Sequence, residues 1–173
     1  HLRKKVLSGF LDLLFPSYCV GCNIEGTVCC ASCRNTLVTH APNCIQCGKL
    51  SLRIPETTCQ QCRRKTVIDG FFAPFFYDGL IRELICQLKY RRLKPTGEVL
   101  TALLLSYLEY YAVRLNPEMI LVPIPLHRDR ERERGFNQCA LIGSMLAERL
   151  GLQYDGHILA RVKRTLPQYG LTV

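Results

Sequence analysis

No stretch of this 173-residue sequence is long and apolar enough to span a bilayer. The longest, Val99 to Leu108, covers ten residues, includes Thr101 and Ser106 and runs straight into Glu109, whereas a spanning helix needs about 20 apolar residues. Membrane insertion is not expected. No export leader is expected either: the run Val6-Leu7-Ser8-Gly9-Phe10-Leu11 is cut by Asp12, and no small-residue cleavage site is evident. That absence argues against a disulfide-rich secreted domain and points to the cytoplasm. The chain opens on His1 rather than Met, as a processed chain or an excerpt would. Large apolar side chains are scarce in residues 18–63, so a conventional core is not expected there. Disorder is not expected all the same, because 48% of the chain is hydrophobic. The length suits one medium domain or two small ones.

Cysteine takes the place of a core in residues 18–63. Four Cys-x-x-Cys pairs occur there: Cys19/Cys22, Cys30/Cys33, Cys44/Cys47 and Cys59/Cys62. Each such turn points two thiolates at one place, and two turns make the tetrahedral sulfur cage that zinc prefers. Eight ligands imply two structural zinc ions. A disulfide framework is the competing reading, and a thioredoxin-like redox site would need only one pair. The simplest arrangement is consecutive, with Cys19, Cys22, Cys30 and Cys33 in one site and Cys44, Cys47, Cys59 and Cys62 in the other. An interleaved cross-brace has the same composition. Cys29 competes with Cys30 as a ligand, but Cys30 keeps the two-residue spacing. Cys86 and Cys139 are expected to be ordinary buried thiols. A four-thiolate zinc with no open position is a fold staple rather than a catalyst.

The formal charge is +9, but each four-thiolate zinc site carries roughly two net negative charges, which lowers the total to roughly +5. The balance fits phosphate-bearing partners, including nucleic acid, without choosing among them.

Hydrophobic spacing predicts the elements. Residues 3–15 form an amphipathic helix with Val6, Leu7, Phe10, Leu11, Leu14 and Phe15 on one face, packed on the zinc module or the next domain rather than on lipid. Phe71 to Tyr77 is expected as a core or edge strand around Pro74. Helices follow over Leu80–Leu93 and Thr96–Leu115. Met119 to Pro125 reads as a buried parallel strand, Phe136–Leu150 as a helix ending at Gly151, and Gly156–Leu159 as a further strand. Helix, strand, loop, helix, strand is the order of an open α/β sheet. Domains are expected over 1–66 and 67–173.

In open α/β sheets ligands gather at the C-terminal ends of strands, which points to the loop from Pro123 to Asn137. Arg128, Arg130, Arg132 and Arg134 alternate there with Asp129, Glu131 and Glu133. If the run is extended, the arginines line one side. If it is helical, the charges intermix as solvated pairs of small worth. Arginines before a helix N-terminus, with Gly135 permitting close approach, suit a phosphate or diphosphate. The candidate residues are Arg128, Arg130, Arg134, Gly135, Asn137 and Gln138.

Val122-Pro-Ile-Pro-Leu-His, with Arg134-Gly-Phe-Asn-Gln138, resembles the signature of the ComF/GntX family. Leu88-Lys89-Tyr90, Arg161-Val-Lys-Arg-Thr165, Pro167-Gln168 and Leu171 extend the likeness over nearly the whole chain. The resemblance implies an N-terminal double zinc ribbon followed by a partial type I phosphoribosyltransferase domain, an open and mostly parallel sheet. Val122 to Arg134 would take the place of the pyrophosphate loop, and Arg161, Lys163, Thr165 and Gln168 would begin the mobile loop. Glu131 stands where an apolar residue is expected in the family.

Enzymes of this type hold 5-phosphoribosyl-1-pyrophosphate with two adjacent acids and a Thr/Gly-rich turn. No two acidic residues are adjacent anywhere in this chain. The 173-residue chain is therefore expected to lack phosphoribosyltransferase activity by itself, with magnesium expected only in a complete enzyme. The family link to natural competence also implies single-stranded DNA or a helicase-like protein as partners. An interaction scaffold with structural zinc alone is the remaining reading.

Overall fold

The computed structural model describes residues 16–51 and 57–165. The helix expected over residues 3–15 lies outside the described residues, as do Pro167, Gln168 and Leu171. The chain divides into two compact units, one ending at Leu115 and the other beginning at Asn116. The first unit thus continues past residue 66, because the cysteine region and the helices that follow it pack together.

The first unit contains α1 (Ala31–Asn35), a 3-10 turn (Arg63–Lys65), α2 (Gly79–Tyr90) and α3 (Pro95–Tyr110). Ile81, Leu84 and Leu88 recur at helical spacing on α2 and are buried against α3, whose own stripe is Leu100, Leu103 and Tyr107. Each fully buried leucine contributes about 1.5–3 kcal/mol. Both helices end earlier than their apolar spacing predicts. Arg92 (φ 57°) and Ala112 (φ 50°) adopt left-handed backbone and reverse the chain. Pro95 then opens α3 at its first turn, where a missing N–H costs nothing.

The aromatic run Phe71–Tyr77 is not a strand. Phe75 makes one antiparallel bridge to Thr39, and Pro74 accepts from the His40 N–H at 2.7 Å but has no N–H to return. Phe71 instead bonds through both its N–H and its carbonyl to the buried Thr57 hydroxyl, at 2.7 and 3.1 Å. Phe71, Phe76 and Tyr77 are left exposed.

The second unit is a βαβ arrangement. β1 (Ile120–Leu121) pairs in parallel with β2 (Gln153–Tyr154), Ile120 opposite Gln153 and Leu121 opposite Tyr154. α4 (Arg128–Arg134) and α5 (Gln138–Leu150) lie between them in sequence. Gly143 lets α5 approach this pair: a Cβ there would stand 2.9 Å from Leu121 Cδ2. Gly151 (φ 66°) ends α5 as expected.

Two strand expectations need correction. Of Met119–Pro125 only Ile120 and Leu121 pair, since Pro123 and Pro125 offer no N–H to a ladder. The second strand is Gln153–Tyr154 and not Gly156–Leu159, because Asp155 Oδ1 accepts from the His157 N–H at 2.7 Å and turns the chain away. The described residues form a mixed α/β structure with one two-stranded parallel sheet.

Candidate metal centres and arginine cluster

The eight cysteines fall into two groups of four, Cys19/Cys22/Cys30/Cys33 and Cys44/Cys47/Cys59/Cys62, whose sulfurs all lie within 4.8 Å of one another. The arrangement is consecutive, not interleaved. Cys22 and Cys30 sulfurs are 3.6 Å apart, and those of Cys47 and Cys59 3.8 Å. A tetrahedral zinc with Zn–S bonds of about 2.3 Å requires sulfur separations of about 3.8 Å, while a disulfide requires about 2.05 Å. The donor set therefore fits zinc, and as four-sulfur sites both would be closed and structural.

The first half of each centre is the same turn. Cys19 N–H donates to Ile24 O (2.8 Å) and Cys44 N–H to Lys49 O (2.9 Å); Asn23 and Gly48 N–H groups return to the Cys19 and Cys44 carbonyls, each at 2.8 Å. Asn23 (φ 60°) and Gly48 (φ 69°) occupy the equivalent left-handed position, which suits these two residue types. Antiparallel bridges close both turns, Tyr18 to Glu25 and Asn43 to Leu50. Across each centre an N–H reaches a sulfur: Cys30 to Cys19 at 3.3 Å and Cys59 to Cys44 at 3.4 Å.

The second halves differ. Cys30 caps α1 by accepting from the Cys33 N–H, whereas Cys62 leads into a 3-10 turn. The pairs stand 8 positions apart in the first centre and 12 in the second, counted from Cys22 to Cys30 and from Cys47 to Cys59.

These surroundings favour the thiolate at one cysteine of each centre. Burial opposes ionisation of Cys19, but the N–H groups of Cys30, Cys22 and Gly21 together outweigh it and bring the thiol from 9.0 to about 6. The Cys59 N–H does the same for Cys44, against burial and with help from Cys47 and Gln46, again to about 6. The Cys30 and Cys22 thiols push Cys33 up, and Cys59 and burial push Cys62 up to about 12. Cys29 is fully buried and belongs to neither centre. Cys86 and Cys139, expected to be buried, are only half-buried.

The arginine run is helical. His127 caps α4 through Nδ1, which accepts from the Asp129 N–H at 3.4 Å. Gly135 (φ 79°) closes it, its N–H donating to Glu131 O at 2.7 Å. Acids in the first turn and arginines in the last complement the helix dipole. Helical spacing separates the arginines that an extended run would align: Arg130 and Arg134 share one face, Arg128 and Arg132 another.

Arg130 Nη2 donates to the Thr165 carbonyl at 2.9 Å, and Arg161 Nη2 to Thr165 Oγ1 at 2.7 Å. Arg164 pairs with Asp129 at 3.6 Å, and His127 Nδ1 lies 3.4 Å from the same carboxylate. The expected pyrophosphate loop and the start of the expected mobile loop are thus brought together around Thr165. Arg128 and Lys163 are exposed and stand outside this group. Arg134 donates to Gln138 Oε1 at 3.1 Å. Asn137 uses both ends of its amide on backbone, accepting from the Cys139 N–H at 2.9 Å and donating to Ile124 O at 3.0 Å; its position is that of a cap and a strap. The role of Arg164 had no local signal, since its partner is distant in sequence.

The sequence that builds these two four-cysteine groups and this arginine cluster is similar to several known proteins. The chain is 30% identical over 148 residues to the DNA utilization protein YhgH of Salmonella typhimurium, covering 83% of this chain and 64% of that protein. It is 28% identical over 126 residues to the competence protein ComFC of Bacillus subtilis, covering 68% and 50%. It is 26% identical over 173 residues to the competence protein F of Haemophilus influenzae, covering 95% and 67%. These likenesses support the ComF-like resemblance. The chain spans less than two thirds of the length of the first two relatives. No family model and no solved structure matches it. Among the described residues, no helix is long and apolar enough to cross a membrane.

Proposed function

We propose that this chain is the zinc-bearing and arginine-bearing part of a ComF-like protein that acts in DNA uptake or utilisation, and that its arginine cluster holds a phosphate or diphosphate. The observation that carries the reading is a likeness spanning 83% of the chain to a protein named for DNA utilization, joined by likenesses to two named for competence. The meeting of Arg130 and Arg161 at Thr165 supports the ligand class, because a guanidinium fork matches phosphate oxygens. The zinc centres hold the first unit together and take no part in ligand chemistry.

In a complete phosphoribosyltransferase such arginines would stabilise the departing diphosphate as the glycosidic bond breaks. The adjacent acids with which such enzymes hold the sugar-phosphate are absent from this sequence, and magnesium is expected only in a complete enzyme. The 173-residue chain is inactive alone on this reading, and nucleobase-dependent release of pyrophosphate by the purified chain would contradict it.

Calorimetric titration with inorganic diphosphate tests the site. Saturable binding is expected, weakened about tenfold to hundredfold by Arg130→Ala or Arg134→Ala, the loss of one charged hydrogen bond. A zinc-stapled nucleic-acid or protein-interaction module without catalysis is the second reading. It is favoured by the exposure of Phe71, Phe76 and Tyr77, which offer stacking surfaces in the same unit as the basic Arg63–Lys65 turn. Affinity for single-stranded DNA that falls steeply with salt would favour it; absence of both activities would leave the interaction scaffold.

A further inference from the structure

The first unit contains an open groove of about 640 Å³ between α1 and α3, with Leu37, Phe75 and Leu103 in its apolar lining. A second hollow of about 420 Å³ shares Leu37 and Phe75 with it and runs on toward Leu80 at the start of α2. Ala102 and Ser106, one turn apart on α3, and Ala31 on α1 are small, which leaves room for a large side chain. The polar lining supplies donors. Arg34 and Asn35 come from α1, Ser106 and Tyr107 from α3, and none of the described residues lining the groove is acidic. Tyr107 is 2% exposed, and its hydroxyl is buried without a hydrogen-bond partner. Burial raises its phenol above the usual 10.0 and keeps it a donor, so an acceptor is wanting there.

We propose that this groove docks a segment of another protein that carries a large apolar side chain beside an acidic one. The apolar side chain fills the space left by the small residues, and such an anchor carries most of the affinity of a small interface. The carboxylate takes its donors from the lining, where the Arg34 guanidinium matches it in a two-pronged way. A nucleic acid fits less well, because Arg34 is the one cation among the described lining residues and a phosphate backbone calls for several. Asp78 lines the second hollow, so the two ends differ in charge and the segment lies in one direction. The wall that carries Arg34 is fixed by the first metal centre, since α1 contains Cys33 and is capped by Cys30. The groove belongs to the first unit and stands apart from the diphosphate reading, so either can fail without the other.

Short random peptides displayed on phage and selected on the full, zinc-loaded chain supply the probe. Enriched peptides are expected to share a Leu, Phe or Trp next to an Asp or Glu. The affinity of one such synthetic peptide is then read by fluorescence anisotropy. It is expected to fall at least tenfold in Arg34→Glu, the loss of a charged hydrogen bond. A fall of the same size is expected in Ala102→Arg, which fills the groove, with two zinc ions retained in both variants. Replacing the peptide's acid by lysine should weaken binding to the wild-type chain and restore it to Arg34→Glu. Ser106→Arg, at an exposed position on the same wall, carries the test if Ala102→Arg does not fold. Absence of the apolar–acidic pattern, or a peptide whose affinity neither groove variant changes, overturns the proposal. Displacement of the peptide by a single-stranded oligonucleotide would assign the groove to nucleic acid, and self-association abolished by Ala102→Arg would assign it to a second copy; either result overturns the proposal as well.

Discussion

The two metal centres and the arginine cluster are both gatherings of like groups, but they are held in opposite ways. In each centre four sulfurs face one point, backbone N–H groups aim at the sulfurs, and one ligand, Cys19 or Cys44, is almost fully buried. The arginine cluster is held by single hydrogen bonds from Arg130 and Arg161 to one exposed residue, Thr165, and by a solvent-facing Arg164–Asp129 pair. Exposed pairs of that kind contribute about 0–1 kcal/mol each, while a structural zinc contributes on the order of 10 kcal/mol to folding. Closed coordination suits a staple, and weakly held guanidinium groups suit a ligand that must enter and leave.

The largest effect that can break this contrast is metal removal. Chelation is expected to unfold the first unit, seen as loss of helical dichroism. Acid should do the same. The N–H groups around Cys19 and Cys44 hold both thiols at about 6 against the usual 9.0, so the stabilisation that depends on their thiolates is complete above pH 9 and lost as pH falls through 6. Zinc retention measured across pH 4–9 is expected to fall on the acid side of about 6, and retention that is flat across that range would argue against thiolate ligation.

A smaller perturbation separates the centres. Cys22→Ser/Cys33→Ser removes two ligands from the first group alone, so the protein should hold one zinc ion per chain. A cross-braced arrangement would lose both. Smaller again is Asn137→Ala, which removes the α5 cap and leaves the Ile124 carbonyl without its donor; a loss of about 1–3 kcal/mol in chemical denaturation is expected. An unchanged midpoint would show that the loop before α5 is not strapped by this side chain.

The cysteine centres were legible in the sequence because their chemistry is local: a Cys-x-x-Cys turn brings two sulfurs together whatever surrounds it. Asn23 and Gly48, one position after the second cysteine of their turns, were a further sign of the shared left-handed turn. The helices were legible from their apolar spacing, though not their ends, which left-handed Arg92 and Ala112 set. The aromatic run misled because five aromatic residues suggest a strand, while Pro74 and the Thr57 hydroxyl give its backbone other partners. The gathering at Thr165 was not legible, since 35 positions separate it from Arg130 and no periodicity reports a contact of that range. Alternation of charge left both an extended run and a helix open. The capping His127 and closing Gly135 decided for the helix.

The claim that the centres hold the fold while the arginines hold the ligand is tested most directly by the dissociation constant for inorganic diphosphate in Arg130→Ala, measured beside the wild-type chain with zinc content determined on both. The account predicts two zinc ions per chain in each and binding at least tenfold weaker in the variant, the lower end expected for loss of one charged hydrogen bond. Equal affinity with zinc intact, or no saturable binding in the wild-type chain, would contradict it.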